Sequence, residues 1–285
     1  MRGRSLRKEL LEGARFPFAR RAGLVNARVM LKALAACCLA AGLSFTASAQ
    51  EKEEKRLYEL RTYHAEPGKL DALLSRFRDH TCKLFEKHGM TNVAYFVPVQ
   101  NKDNLLVYLL SYPDKAARDA AWKGFLADPE WKKAAGASEV NGKLVGKIDE
   151  LYLRPTDFSP VFGNGKPGGA DRLFEMRTYT TTPGKLADLH KRFREHTIEL
   201  FKKHGMTNLG YYELSEGQPG AENTLLYFLA HKDQEAATKS WTEFRADPVW
   251  VAAKKASEDA AGGSLTVPDG VKSVFLKPVD FSPVK

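Results

Sequence analysis

At 285 residues the chain is long enough for two ordinary domains, each with its own core. A hydrophobic share of 43% with 28% charged residues excludes a disordered chain and a membrane-embedded one. The net charge of +9 points towards nucleic acid, but residues 1–49 hold nine Lys/Arg against Glu9 and Glu12. Most of the basicity therefore lies in the leader, and no nucleic-acid partner is expected.

The leader has the order of a secretory signal peptide. From Met30 a positive Lys32 precedes an apolar run, Ala33 to Phe45, and the small residues Ala47-Ser48-Ala49 then precede Gln50. Cleavage is expected after Ala49, with translation starting at Met30, giving a periplasmic or secreted product. The apolar run falls short of the ~20 residues that span a bilayer, so no membrane span is expected after cleavage. A weak lipoprotein-like box ends at Cys37, but the apolar run before it is too short, so soluble export is favoured. Cys37 and Cys38 leave with the leader. Cys82 alone remains, which excludes an intrachain disulfide.

An internal repeat dominates the rest. Residues 57–98 align without gaps on 173–214, and 24 of the 42 pairs are identical. LYELRTYHAEPGKL meets LFEMRTYTTTPGKL, RFRDHT meets RFREHT, and KHGMTN recurs unchanged. After a short insertion near Gly217–Gly220, Trp122 meets Trp241 and the Asp128-Pro129-Glu130-Trp131 run meets Asp247-Pro248-Val249-Trp250. Both copies close on Pro-x-Asp-Phe-Ser-Pro, at 155–160 and 278–283. The expected organisation is a leader over 1–49, one domain over 50–160, a Gly/Pro-rich linker over 161–171 and a second domain over 172–285.

Each copy reads as β-α-β-β-α-β. In the first, Leu57–Tyr63 is a strand rich in aromatic and branched residues, ended by Pro67-Gly68. Lys69–His88 carries Leu70, Leu73, Leu74, Phe77, Leu84 and Phe85 at helical spacing, with Gly89 as its C-terminal cap. Val93–Val97 and Leu105–Leu110 are strands, 114–126 and 129–140 are helical, and Ile148–Arg154 closes the unit. This order gives a ferredoxin-like α+β module. Two such modules can cover each other's open sheet face, so the expected product is an intrachain dimeric α+β barrel, a monomer or a homo-oligomer of it.

The strand Tyr58-Glu59-Leu60-Arg61-Thr62-Tyr63, the following Pro67-Gly68-Lys69, the Lys87-His88-Gly89 turn and the Trp and Asp-Pro-x-Trp region resemble the NIPSNAP family. The resemblance covers both copies, Leu57–Pro160 and Leu173–Pro283. It implies the barrel fold shared with small antibiotic-biosynthesis-type monooxygenases and supplies no settled activity. The family's animal members are linked to mitochondria and organelle clearance. A signal peptide departs from that setting, so the organelle role is not carried over.

Candidate chemistry follows from alternation along the first strand of each copy. Glu59, Arg61 and Tyr63 share one face, opposite Tyr58, Leu60 and Thr62; Glu175, Arg177 and Tyr179 repeat the pattern. The more apolar face is expected beneath the helices, which aims the Glu/Arg/Tyr set at the space between the two sheets. There it binds a small polar or anionic molecule, or forms a mutually satisfied ion pair that fixes the sheet register. His80 and His196 occupy equivalent helix positions, as do His88 and His204; satisfied structural roles are expected, with His80 and His196 as weak candidates for a catalytic base or a haem or metal ligand. His80 and His88 lie ~12 Å apart along a helix and cannot chelate one ion together. His64, His190 and His231 lack a histidine counterpart and are expected at the surface. Asp128 and Asp247 read as helix caps, with Pro129 and Pro248 at the first helical position and Trp131 and Trp250 docking the helix. No metal-binding signature, phosphate-cradling loop or nucleophile elbow occurs, and no cofactor is expected.

Three readings follow: a binding protein with its ligand in the barrel, a cofactor-independent monooxygenase- or isomerase-like enzyme using the same cavity, and a non-catalytic assembly protein. A packed barrel interior favours the third.

Overall fold

The computed structural model describes residues 56–162 and 172–285. The leader, with its start at Met30 and its cleavage site, and most of the Gly/Pro linker lie outside the described residues. In the first module β1 (Leu57–Ala65) is followed by α1 (Leu70–Arg76), a π-helical turn (Phe77–Thr81) and α2 (Cys82–Lys87). Then come β2 (Thr91–Pro98), β3 (Leu105–Tyr112), α3 (Lys115–Ala127), α4 (Pro129–Ser138) and β4 (Val145–Pro155). The second module repeats the order as β5 (Leu173–Thr181), α5 (Leu186–Arg192), a π-helical turn (Phe193–Thr197), α6 (Ile198–Lys203) and β6 (Thr207–Leu214). It continues with β7 (Thr224–His231), α7 (Gln234–Ala246), α8 (Pro248–Ala260) and β8 (Thr266–Pro278).

Each module has the ferredoxin-like strand order, β4-β1-β3-β2 and β6-β7-β5-β8, and the two sheets close into one eight-stranded antiparallel barrel. Closure takes two short seams between modules. Phe96, Val97 and Pro98 pair with Pro278, Lys277 and Leu276, and Leu153, Arg154 and Pro155 pair with Leu214, Glu213 and Tyr212. A closed barrel leaves no unpaired strand edge.

The local signals act as their chemistry requires. Gly89 and Gly205 adopt φ of +80° and +78°, and the amides of Met90 and Met206 donate 2.9 Å to the carbonyls of Phe85 and Phe201, which ends both first helices. Asp128 and Asp247 accept the amides of Glu130 and Val249 at 2.8 Å, with proline next in line.

The core has three parts. Tyr58, Leu60, Phe96, Leu109, Phe174, Tyr212, Phe228 and their neighbours fill the barrel interior. One further layer lies between sheet and helices in each module, centred on Phe77, Phe85 and Tyr108 in the first and on Phe193, Phe201 and Tyr227 in the second. β7 is buried along its whole length because it feeds both layers.

The repeated Pro-x-Asp-Phe-Ser-Pro run is a reciprocal latch. The first module's tail crosses to the second: Asp157 forms a bidentate pair with Arg194, Phe158 packs on Phe193 and Tyr211, and Ser159 Oγ accepts the Tyr211 amide at 2.9 Å. The second module's tail returns it: Asp280 pairs with Arg78, Phe281 packs on Phe77 and Tyr95, and Ser282 Oγ accepts the Tyr95 amide at 3.0 Å. Each module thus supplies part of the other's core.

Candidate functional site

The Glu/Arg/Tyr set points the opposite way from the expectation. Glu59, Arg61 and Tyr63 face the helices, and Tyr58 and Leu60 face the barrel interior. The second module follows, with Glu175, Arg177 and Tyr179 under its own helices. The reason is solvation. Inward side chains from all eight strands fill the barrel, so a charged pair there would lie in apolar surroundings without water. The sheet–helix layer opens at its edge, and its helices bring polar partners. The barrel interior is packed with apolar side chains, so the expected ligand site between the two sheets is not there, and the packed interior that the assembly reading requires is.

In the first module Glu59, fully buried, accepts from Arg61 at 2.6 Å, Arg118 at 2.8 Å, Tyr112 at 2.8 Å and Trp122 at 2.9 Å. Glu150 approaches both arginines, at 3.0 Å from Arg61 and 3.5 Å from Arg118. Burial raises the Glu59 carboxyl, but the Arg118 hydrogen bond, the Arg61 charge and the Trp122 bond outweigh it and hold it below the usual range. Burial works against the Arg61 charge as well. Tyr108, Tyr63 and Glu59 more than offset that, so Arg61 stays a cation.

In the second module the frame recurs with different partners. Glu175 accepts from Arg177 at 2.6 Å, Trp241 at 2.8 Å and Ser273 at 2.6 Å, and lies 2.9 Å from His231 Nε2. His231, expected at the surface, is buried here, in the place that Tyr112 holds in the first copy. Burial raises the Glu175 carboxyl too, but His231, Arg177 and Ser273 bring it down to about 2.

A cavity of about 460 Å³ opens beside the first set. Its lining includes Arg61, Tyr63, Arg76, Phe77, Trp122 and Trp131. Its geometry is that of a slot between two buried arginines. Along one wall Arg61 stacks on Trp122 at 4.4 Å, Phe125 contacts Trp122 and Trp131 at 5.6 and 4.4 Å, and Arg76 stacks on Trp131 at 5.2 Å. Along the other, Tyr63 lies 5.5 Å from the Arg61 guanidinium and 5.8 Å from Phe77. The Nε atoms of Arg61 and Arg76 are buried and have no hydrogen-bond partner among the described residues.

The π-helical turn builds this end of the slot. Its wider winding turns Arg76, Phe77 and Thr81 inward together, and Thr81 Oγ1 donates 3.2 Å to the Arg76 carbonyl. Arg78 is left outside to meet the latch. The second module repeats this, with Thr197 Oγ1 3.1 Å from the Arg192 carbonyl.

The histidine candidates fall elsewhere. His80 and His196 are exposed on the outside of the π-helical turns, and His80 borders a separate surface depression with Asp79 and Lys83. Neither meets the slot, so the proposed base is misplaced. His88 and His204 are structural: their Nε2 atoms lie 2.6 and 2.8 Å from Asp128 and Asp247, and His88 leaves no room for a side chain at Gly124. His190 is half-buried against Phe158, and His64 pairs with Asp149. Cys82 is a packing residue, its thiol pushed up to about 11 by burial. Among the described residues no group of three or more His, Cys, Asp or Glu could hold a metal ion, and no helix is long and apolar enough to cross a membrane.

Sequence reasoning missed Arg76, Trp122 and Trp131 as site residues, although all three recur as Arg192, Trp241 and Trp250. The repeat itself was the signal. Arg118 and Glu150, replaced by Ala237 and Ser273 in the second copy, carried no such signal.

The barrel and the crossed tails define the class: a tandem dimeric α+β barrel protein held in one chain. The sequence profile of the NIPSNAP family matches residues 58–160 and 174–283, and the chain belongs to that family. A NIPSNAP family protein of unknown function from Agrobacterium tumefaciens is 24% identical, covering 41% of this chain and 96% of its own, with a TM-score of 0.35. A NIPSNAP-like domain protein from Burkholderia xenovorans is 22% identical over 38% of this chain and 90% of its own, with a TM-score of 0.34. A candidate monooxygenase from Fusobacterium nucleatum is 12% identical and covers 81% of this chain and 98% of its own, with a TM-score of 0.51. That last likeness is one of fold. No curated protein matches the chain.

Proposed function

We propose that this is an exported binding protein for a small organic anion with a flat apolar body, held in the first module's sheet–helix slot. The observation that carries this reading is an aromatic-walled cavity with three arginine side chains, Arg61, Arg76 and Arg118, on its lining. A volume of about 460 Å³ suits a small molecule. Glu59, Glu139 and Glu150 already pair with the three arginines, so the slot asks for hydrogen-bond acceptors and modest negative charge. Exposed Leu126 and Ile148 at the rim extend the apolar surface outward. Export rests on the signal-peptide order of the leader.

A second reading places cofactor-independent oxygenase or isomerase chemistry in the same slot. The fold likeness to the candidate monooxygenase supports it, and Tyr63, on the lining, is the group placed to donate a proton or hydrogen bond.

Benzoate is a suitable first probe. Titrated against the full chain, it is expected to quench tryptophan emission saturably and to raise the melting temperature. Ala135 also lines the slot, so Ala135→Trp fills it and is expected to remove at least half of the bound benzoate. A folded Ala135→Trp chain that binds as much benzoate as the parent would refute the assignment.

A further inference from the structure

The seams that close the barrel are short, and one strand of each module overhangs them. β4 runs over Val145–Pro155, but only Leu153, Arg154 and Pro155 pair with β6. Residues 145–151 are laddered to β1 on one side and, among the described residues, to no strand on the other. The last capped residue shows which backbone groups this overhang offers. The Tyr152 amide donates to Gln218 Oε1 at 2.9 Å, and its carbonyl accepts from Gln218 Nε2 at 2.6 Å and from the Ser215 amide at 2.8 Å, so Tyr152 turns its backbone away from β1. Alternation along an antiparallel strand turns the amides and carbonyls of Glu150 and Ile148 the same way. Among the described residues no hydrogen bond meets them, and the whole run Gly146-Lys147-Ile148-Asp149-Glu150 is exposed.

A free strand edge is a template for another strand, and its side chains select the partner. Lys147 and Asp149 share one face of β4 and lie 2.9 Å apart. Ile148, on the other face, is 41% exposed at the slot's rim, where Leu126 is exposed too. Two such edges in an antiparallel pair centred on Ile148 match at each position. Ile148 meets its own copy, Lys147 of each chain lies opposite Asp149 of the other, and Glu150 lies opposite Gly146, which has no side chain to obstruct it. Ile148 is then a hydrogen-bonded pair, so the charges fall at the non-hydrogen-bonded positions, where opposed side chains are closest. Moving the axis to Asp149 would set two carboxylates face to face. The overhang of β8 lacks this pattern. Val271 stands where Ile148 does, but Gly270 and Lys272 flank it without an acid. Its outer end is also bent: Asp269 adopts φ of +54°, and the ladder to β5 breaks over residues 267–270. A mixed pair of Ile148 with Val271 would set Lys147 against Lys272.

We infer that two copies of this chain join through the overhanging part of β4, in a two-fold antiparallel strand pair centred on Ile148. The contact is isologous, so it closes at two chains and continues the first module's sheet from one barrel into the next. The second module's edge stays outside it. The inference rests on the strand edge and its charges and requires no ligand in the slot.

The test is analytical ultracentrifugation of the full chain over a concentration series, with circular dichroism as the check on folding. The parent is expected to pass from one chain to two as concentration rises. Asp149→Lys opposes lysine to lysine across the axis, and Lys147→Asp opposes acid to acid. Each is expected to weaken self-association about tenfold or more. An equimolar mixture of the two variants restores both ion pairs and is expected to dimerise as the parent does, which also shows that both variants fold. Ile148→Pro removes an outward amide without touching the ladder to β1, and is expected to abolish the dimer in a folded chain. A parent that stays a single chain at every concentration overturns the inference, as does an assembly larger than two chains. A dimer indifferent to these substitutions, or a mixture that fails to recover it, overturns it as well.

Discussion

Two buried carboxylates, Glu59 and Glu175, occupy the same place in the two modules and are held in different ways. Glu59 meets two guanidinium groups, and Glu150 stands behind them as a second acid. Glu175 meets one guanidinium, and the rest of its shell is His231, Trp241 and Ser273. The pairing of Arg with Glu on β1 and β5 is therefore a fixed part of the fold. The partners brought by α3, β4, β7 and β8 are where the copies diverged. Duplication kept the frame and released its surroundings.

The largest expected effect follows from that difference. In Glu175→Ala, Arg177 loses the one carboxylate that pairs with it among the described residues, and its charge remains buried. Breaking a buried pair in this way costs about 3–5 kcal/mol. In Glu59→Ala, Glu150 still reaches both Arg61 and Arg118, so the loss should be clearly smaller. Denaturant unfolding of the two variants measures this. Equal losses would break the comparison, since they would show that Glu150 compensates nothing.

The next effect is a pH dependence assigned to the second module. The Glu175 carboxyl stands at about 2 in the folded chain, against 4.5 when unperturbed. A depressed folded value means stability that is complete above about pH 4.5 and lost as the pH falls towards 2. The shift corresponds to roughly 3 kcal/mol. Glu175→Gln should flatten this part of the stability profile between pH 5 and 2, while lowering stability at neutral pH. A profile of the same shape in the variant would remove Glu175 as its source.

The sequence made much of this architecture legible because the repeat acted as a built-in comparison. Strand order, both helix caps at Asp128 and Asp247, and the glycine stops at Gly89 and Gly205 all followed from local chemistry that any fold must satisfy. The facing of β1 did not. Its two faces, Tyr/Leu/Thr and Glu/Arg/Tyr, differ modestly in polarity, and a ranking by polarity assumed that the helices cover the driest layer. In a closed barrel the driest layer is inside. The slot was half visible: Arg61 and Tyr63 were named, while Arg76 needed the π-helical turn to bring it inward beside Phe77. A turn of that kind has no periodic signature in RFRDHT. His231 was misread because its counterpart is Tyr112, a different residue serving the same carboxylate.

The smallest expected effect is a control in which the modules should agree. The latch pairs Arg78 with Asp280 and Arg194 with Asp157 through bidentate contacts of 2.6–2.8 Å, and all four side chains are substantially exposed. Exposed pairs contribute little, typically 0.2–1 kcal/mol, and are screened by salt. Double-mutant cycles on the two pairs should therefore return similar, small couplings, smaller again in high salt. The tails hold mainly through Phe158 and Phe281, which enter the opposite module's aromatic core, and through the serine hydroxyls that accept the Tyr211 and Tyr95 amides. Matching couplings at the latch, set beside unequal losses at Glu59 and Glu175, would locate the divergence of the two copies around these carboxylates. Unequal latch couplings would instead mean that the two modules differ throughout, and the contrast between the carboxylates would lose its special meaning.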